Sequence, residues 1–309
     1  MTATSAPPVD QRPAAAASRT PQEPPRAAGR RTRDRSAGAG LRATGAALAI
    51  LGALLLCFVA EVGPLGQVRH ERDRRVGYAE LRDQLANATV SVGPAAPGKP
   101  LALLTVPQLG IREVVREGTG ADVLAAGPGH RRDTVLPGQP GTSILMGRQA
   151  GYGGPFEHVG ELRRGETFTV TTGQGEHTYK VLGVRRAGDP RPARPSADAG
   201  RLVLMTADGT PYMPAGVLQV DAELVSPVQE SGGRGAQRLP ADELPMAGQA
   251  SAWFPLLLWS QALLLAAAAL AWSRVRWGRG PTWLVGLPVL TALALATADQ
   301  AALLLPNLL

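Results

Sequence analysis

TVPQLGIREVVREGTGADVLAAGPGHRRDTVLPGQPGTSILMGRQAGYGGPFEHVGELRRGETFTV occupies residues 105–170. Short β-branched and apolar runs are cut every few residues by Gly and Pro, which is the texture of strands joined by tight turns. The same texture continues on both sides. LALLTV (101–106), TSILM (142–146), ETFTVTT (166–172), HTYKVLGVRR (177–186), RLVLMT (201–206) and GVLQVDAEL (216–224) are the strand candidates. Short strands at regular spacing predict a mainly β fold, one small barrel or sandwich over residues 101–226.

Outside this core the 309-residue chain changes character. TGAALAILGALLLCFVAEV (44–62), AWFPLLLWSQALLLAAAALAW (252–272) and residues 283–305, whose sole ionisable side chain is Asp299, are apolar blocks. Each is long enough to cross a hydrocarbon core of roughly 30 Å as a helix. About forty residues precede the first block and no clean small-x-small cleavage site follows it, so it reads as an uncleaved anchor. VGYAELRDQLANAT (76–89) places Tyr78, Leu81, Leu85 and Ala88 at helical spacing and predicts a short amphipathic helix beyond that anchor.

The layout expected from these signals begins with a disordered basic cytoplasmic tail (1–43) and a first membrane helix (44–63). A juxtamembrane helix and linker (64–100), the β domain (101–226) and a second linker (227–251) follow. The chain then returns through a membrane helix (252–272), a basic cytoplasmic loop (273–282) and a third membrane helix (283–305). Orientation rests on that loop, because SRVRWGRG carries Arg274, Arg276 and Arg279 without an acid and belongs on the cytoplasmic side. The β domain is then extracellular and the protein a multi-pass resident of the cell membrane. Asp299 falls near the outer end of the third span, where its carboxylate is expected to reach interfacial water.

A net charge of +7 invites a nucleic-acid reading. The basic excess lies in the tail and the membrane flanks, and no aromatic residues are interleaved with it to stack bases, so no nucleic-acid partner is expected.

The ordered words VPQLGI, GPGH, LPGQPG, YGGPF and ELRRGE, closed by the strand LVLMT, resemble a sortase, of the class E-like type of high-GC Gram-positive bacteria. The resemblance implies an eight-stranded barrel outside the membrane and transpeptidation that joins surface proteins to the cell wall or into pili. It implies no cofactor. Its chemistry uses a Cys thiolate that attacks a sorting-signal amide, a His that handles the leaving-group proton, and an Arg that stabilises the oxyanion or substrate. The position that follows LVLMT, where the family has Cys, holds Ala207. In LMGRQAGYGGPF the family's His position holds Arg148, and in PAGVLQVDAEL the Arg position falls on Val217.

The missing thiol needs no alignment: the chain has a single cysteine, Cys57, inside the first apolar block. That count also excludes an intramolecular disulfide and a cysteine-based metal site. Arg148 does not replace His as a proton shuttle, because a guanidinium stays protonated at working pH. Two function classes follow. One is a membrane-anchored sortase-family protein without transpeptidase activity, a binding or assembly partner for cell-wall fragments, acidic peptides or another membrane or surface protein. There Arg148 offers a forked cation to a carboxylate, with Asp208 and His130 as further ligand-binding candidates, or Arg148 is structural and pairs with Asp208. The other is an unconventional hydrolase or transpeptidase with a non-cysteine nucleophile, for which Asp208 with His130 is the available pair. Thr206 adjoins Ala207 but points to the opposite face of its strand. His70, His158 and His177 lack ligand spacing, predict no metal site, and read as surface or turn residues.

The orientation is tested by single-cysteine variants in a Cys57→Ser background, labelled from outside intact cells. Ser231→Cys is expected to react and Ser273→Cys to stay unlabelled; the reverse pattern inverts the topology.

Overall fold

The computed structural model describes residues 44–45, 48–93, 95–231, 238–277 and 279–309, with the side chains of 274–283 excepted. The tail expected over 1–43 lies outside the described residues, as do the side chains of Arg274, Arg276 and Arg279. Contacts divide the chain into two compact units, Met1–Ile50 and Leu51–Leu309, and the described residues of the first are helical.

Eight strands close into one barrel: β1 (Pro100–Val106), β2 (Ile111–Glu117), β3 (Gly129–His130), β4 (Gly141–Met146), β5 (Thr167–Thr172), β6 (Gly175–Arg185), β7 (Gly200–Thr210) and β8 (Met213–Leu224). Their order around the barrel is β1-β2-β3-β4-β7-β8-β6-β5, with β5 returning to β1. Two strand pairs are parallel, β2 with β3 and β4 with β7. The interior is apolar: Leu104, Leu145, Phe156, Val170, Leu202, Leu204 and Val220 are among the wholly buried side chains. Phe168 stacks on Tyr179 with ring centroids 5.7 Å apart, and the Tyr179 hydroxyl accepts the Gly138 N–H at 2.7 Å. Burial pushes that phenol's pKa up, so it stays protonated.

Phe156 plugs one end of this core. It is wholly buried, and a Cβ on Gly147 would stand 2.5 Å from its ring. The turn that delivers it, Gly151 to Gly154, runs through the left-handed region at Gly151 (φ 68°), Tyr152 (φ 45°), Gly153 (φ 82°) and Gly154 (φ 50°). Glycine takes that conformation without a Cβ penalty; Tyr152 takes it at a cost.

Among the described residues three helices are long and apolar enough to cross a membrane: Leu48–Ala86, Ala250–Ser273 and Leu284–Ala302. The first continues as α1 (Gly66–Ala86), whose Leu81 is buried against Val90 of the following connection and Val114 of β2. Arg116 reaches back to the Asp73 carbonyl at 2.9 Å and Arg112 to the Tyr78 hydroxyl at 2.8 Å, so the helix and the barrel wall are pinned together. A short helix α2 (Ala121–Ala126) links β2 to β3. After β8 the chain leads to α3 (Trp253–Trp277) and α4 (Arg279–Ala302), which pack against each other. Asp299 on α4 is paired: Arg69 of α1 binds it at 2.6 Å and Glu61 at 2.8 Å. A carboxylate near an apolar span is better satisfied by a guanidinium than by partial hydration.

Gly147→Ala is expected to lower the unfolding free energy of the detergent-solubilised protein by about 1–3 kcal/mol, the usual cost of overpacking a core. Phe156→Leu in the same protein should recover part of that loss. Chemical denaturation of the single and double variants measures both; an unchanged Gly147→Ala midpoint would mean that the plug has room to yield.

Candidate functional site

β4 and β7 run parallel and leave the barrel at the same end, with Met146 paired to Met205 and the Gly147 N–H donating to the Met205 carbonyl at 3.0 Å. Continuing this register brings residue 148 level with residue 207. On the other side of β7 the antiparallel ladder sets Val217 of β8 directly across from Ala207. The sheet thus gathers Arg148, Ala207 and Val217 at one rim. Strand alternation separates their surroundings: Leu202 and Leu204 face the barrel interior, while Met205 and Ala207 face outward into a second apolar cluster. Thr206 has its hydroxyl buried without a hydrogen-bond partner among the described residues.

Ala207 is 1% exposed. Leu124 of α2, Met146, Met205 and Leu308 pack with it, and Ile144 and Val217 close the sides. The rim is therefore filled, and a late segment of the chain fills it.

Arg148 is also 1% exposed. Its Nη2 donates to the Ala121 carbonyl at 3.1 Å and its Nη1 to the Leu309 carbonyl at 3.4 Å. The guanidinium carbon lies 4.9 Å from the centroid of the Tyr152 ring, which explains what the left-handed Tyr152 backbone achieves. Burial pushes the guanidinium down to about 10 and the Tyr152 phenol up to about 12. Both groups keep their protons at neutral pH. The structural pairing expected between Arg148 and Asp208 is not formed, because the Asp208 Oδ1 accepts from Arg186 Nε at 3.1 Å.

His130 is wholly buried on β3; its Nε2 bonds to the Val135 carbonyl at 2.9 Å and its Nδ1 lies 3.7 Å from Glu117. Of the remaining histidines only His158 fits a surface reading. His70 is buried beside Glu113 at 3.3 Å, and His177 is buried with its Nε2 at 2.9 Å from the Thr172 hydroxyl. Burial lowers the His177 pKa. Both corrections have one cause: an isolated His in a strand or helix pattern carries no signal of which neighbour will cover it. Among the described residues no group of three or more His, Cys, Asp or Glu side chains converges as a metal set.

The family model described as "Sortase domain" matches residues 104–222. The β-barrel of this chain is a sortase-family domain. Sortase D of Bacillus subtilis is 31% identical over 85 residues, which are 28% of this chain and 41% of that protein. The match thus spans less than half of that curated relative. Sortase E from Streptomyces avermitilis is 31% identical, with 47% of this chain and all of that one covered and a TM-score of 0.37. A Clostridium perfringens structure named a sortase D5 transpeptidase is 18% identical, covers 50% of this chain and 99% of its own, and has a TM-score of 0.44.

Residues that sequence reasoning passed over are Tyr152, Ala121 and the segment 306–309. Pro306 and Asn307, which break the apolar run LLLPNLL, were the available signal. Arg148→Ala removes the donor to the main-chain oxygens of Ala121 and Leu309 and empties the space over Tyr152. It is expected to lower the unfolding free energy by about 2–4 kcal/mol, with Arg148→Lys recovering only part because one ammonium does not reproduce the fork. Denaturant titration checks this; an Arg148→Ala protein as stable as the parent would mean that the cation is held for a ligand and not for the fold.

Proposed function

We propose that this chain is a multi-pass protein of the cell membrane whose sortase-family barrel faces the exterior and acts as a binding or assembly partner in cell-wall or surface-protein processes, without transpeptidase chemistry. One observation carries the reading. The position where the family's thiol is expected is Ala207, packed at 1% exposure in an apolar cluster, in a chain whose sole cysteine is Cys57 in the first apolar span. Loss of a nucleophile in a catalytic unit costs on the order of a million-fold in turnover. The barrel that presents the position is nevertheless intact, closed and densely packed.

The surroundings bear on what is bound. Both Nη atoms of Arg148 donate to carbonyls, so a carboxylate of a wall fragment or acidic peptide reaches the guanidinium only after Leu309 moves. Met146, Met205, Ala207 and Val217 offer apolar side chains, which suit a segment of another membrane or surface protein better than a charged glycan stem. The exterior placement is supported by the basic stretch between the second and third spans.

The test uses the full-length protein in detergent micelles, a panel of sorting-signal peptides and an amine acceptor. Mass spectrometry is expected to find neither an acyl-enzyme nor a ligated product. A product that disappears in Asp208→Asn or His130→Ala would establish an enzyme with a non-cysteine nucleophile and end the binding-partner reading.

A further inference from the structure

After α4 the chain turns onto the rim of the barrel and is held there by backbone hydrogen bonds, the Asn307 amide and the Leu308 side chain. The Gln249 N–H donates to the Leu303 carbonyl at 2.9 Å, and the Asn307 N–H donates to the Ala247 carbonyl at 2.8 Å. The Asn307 amide donates to the Asp242 and Leu244 carbonyls at 2.6 and 2.8 Å. Beyond this clamp Leu308, wholly buried, enters the cluster that contains Ala207, while its carbonyl accepts the Gln149 N–H at 2.9 Å. The next carbonyl, of Leu309, takes the Arg148 Nη1.

The residues that receive this segment lie on the rim where the family resemblance places its reactive groups. Positions 148 and 149 supply donors to successive carbonyls, and the wall around Ala207 supplies a socket for one branched apolar side chain. One main-chain N–H, one guanidinium and a single side-chain pocket form a set that suits an extended polypeptide. A tethered segment acts at an effective concentration of about millimolar, enough to exclude weaker free ligands.

We propose that the Ala207 cleft is a binding groove for an extended apolar polypeptide and that residues 306–309 are its ligand in cis, so that a second polypeptide enters only when this segment withdraws. The proposal deepens the non-catalytic reading and rests on it in treating the cleft as a binding site. Ala207 contributes by being small: its methyl group lies against Leu308 without presenting a reactive atom.

The groove is probed with Ala207→Cys in a Cys57→Ser background, in detergent micelles, by the rate of reaction with a water-soluble maleimide. The thiol is expected to be protected, and deletion of residues 306–309 or the change Leu308→Glu to accelerate labelling by about tenfold or more, as local exposure does. A fluorescein-labelled peptide with the sequence of residues 303–309 behind two solubilising lysines is expected to bind the deletion protein with Ala207 retained and not the full chain. Equal labelling rates overturn the proposal, as does a deletion protein that keeps its cooperative thermal transition yet does not bind the peptide. Should the deletion protein lose that transition, Ala207→Cys with Leu308→Cys decides: disulfide formation in the full chain under mild oxidation supports the groove, and its failure overturns it. Sorting-signal turnover by the deletion protein would sink the non-catalytic reading and leave the groove standing, whereas unchanged labelling sinks the groove alone.

Discussion

The parallel ladder from Gly141 paired with Gly200 to Met146 paired with Met205 is the constraint on which the rim of the barrel depends. Antiparallel neighbours exit a sheet at opposite ends, so a rim built by them alone would separate residue 148 from residue 207. Parallel β4 and β7 exit together, and the antiparallel β8 folds back across β7 to add Val217. The bulge between Asp208 and Gly209 follows at once and bends β7 as it leaves the barrel. Three positions that are scattered along the sequence therefore share one surface, whatever side chains they carry. This separation of scaffold from side chain lets the barrel persist with Ala at the position where its family resemblance expects a thiol.

The barrel was legible because its signals are local. Gly and Pro between β-branched runs mark turns by their own conformational limits, and the strands beginning at Pro100, Gly141, Thr167, Gly200 and Met213 sit where the apolar runs lie. β3, only Gly129–His130, is too short to show a period and emerged only with the closed sheet. The rim was legible in part: a register sets which positions meet, but not what covers them. Asp208 was available to Arg148 by proximity in the strand order, yet Arg186 reaches it first, and no one-dimensional pattern ranks two arginines as partners. The segment 306–309 lay beyond the last apolar block, and its partners at 148, 149 and 207 are separated from it by the whole return through the helical hairpin.

Arg148 illustrates how a buried charge is held without an Asp or Glu side chain beside it among the described residues. Taking a guanidinium out of water is costly, and among the described residues no Asp or Glu side chain pairs with it. The Ala121 carbonyl, a main-chain oxygen of Leu309 and the face of Tyr152 surround it instead. The Nε–H is still unpartnered, which is a residual penalty at the centre of the site. Because one of the two main-chain oxygens belongs to Leu309, part of the stabilisation of this charge is supplied by the segment that fills the cleft.

That dependence runs in both directions. The helical hairpin α3–α4 is tied to α1 by Asp299 and Arg69 and, a short distance further on, to the segment 242–247 by Asn307 and to the barrel by Leu308. A displacement of α4 relative to the barrel therefore acts on two kinds of contact at once, an ion pair at the helix flank and an apolar insertion at the rim. The ion pair is directional and weakens gradually with distance, whereas the insertion is lost as soon as Leu308 leaves its socket. Leu308 covers Met146, Met205, Ala207 and Val217, and its withdrawal would uncover them together with a guanidinium that has lost one of its two main-chain acceptors. An opened rim of this composition is apolar with one unsatisfied cation, the combination that a polypeptide backbone bearing a branched apolar side chain satisfies and that water alone does not.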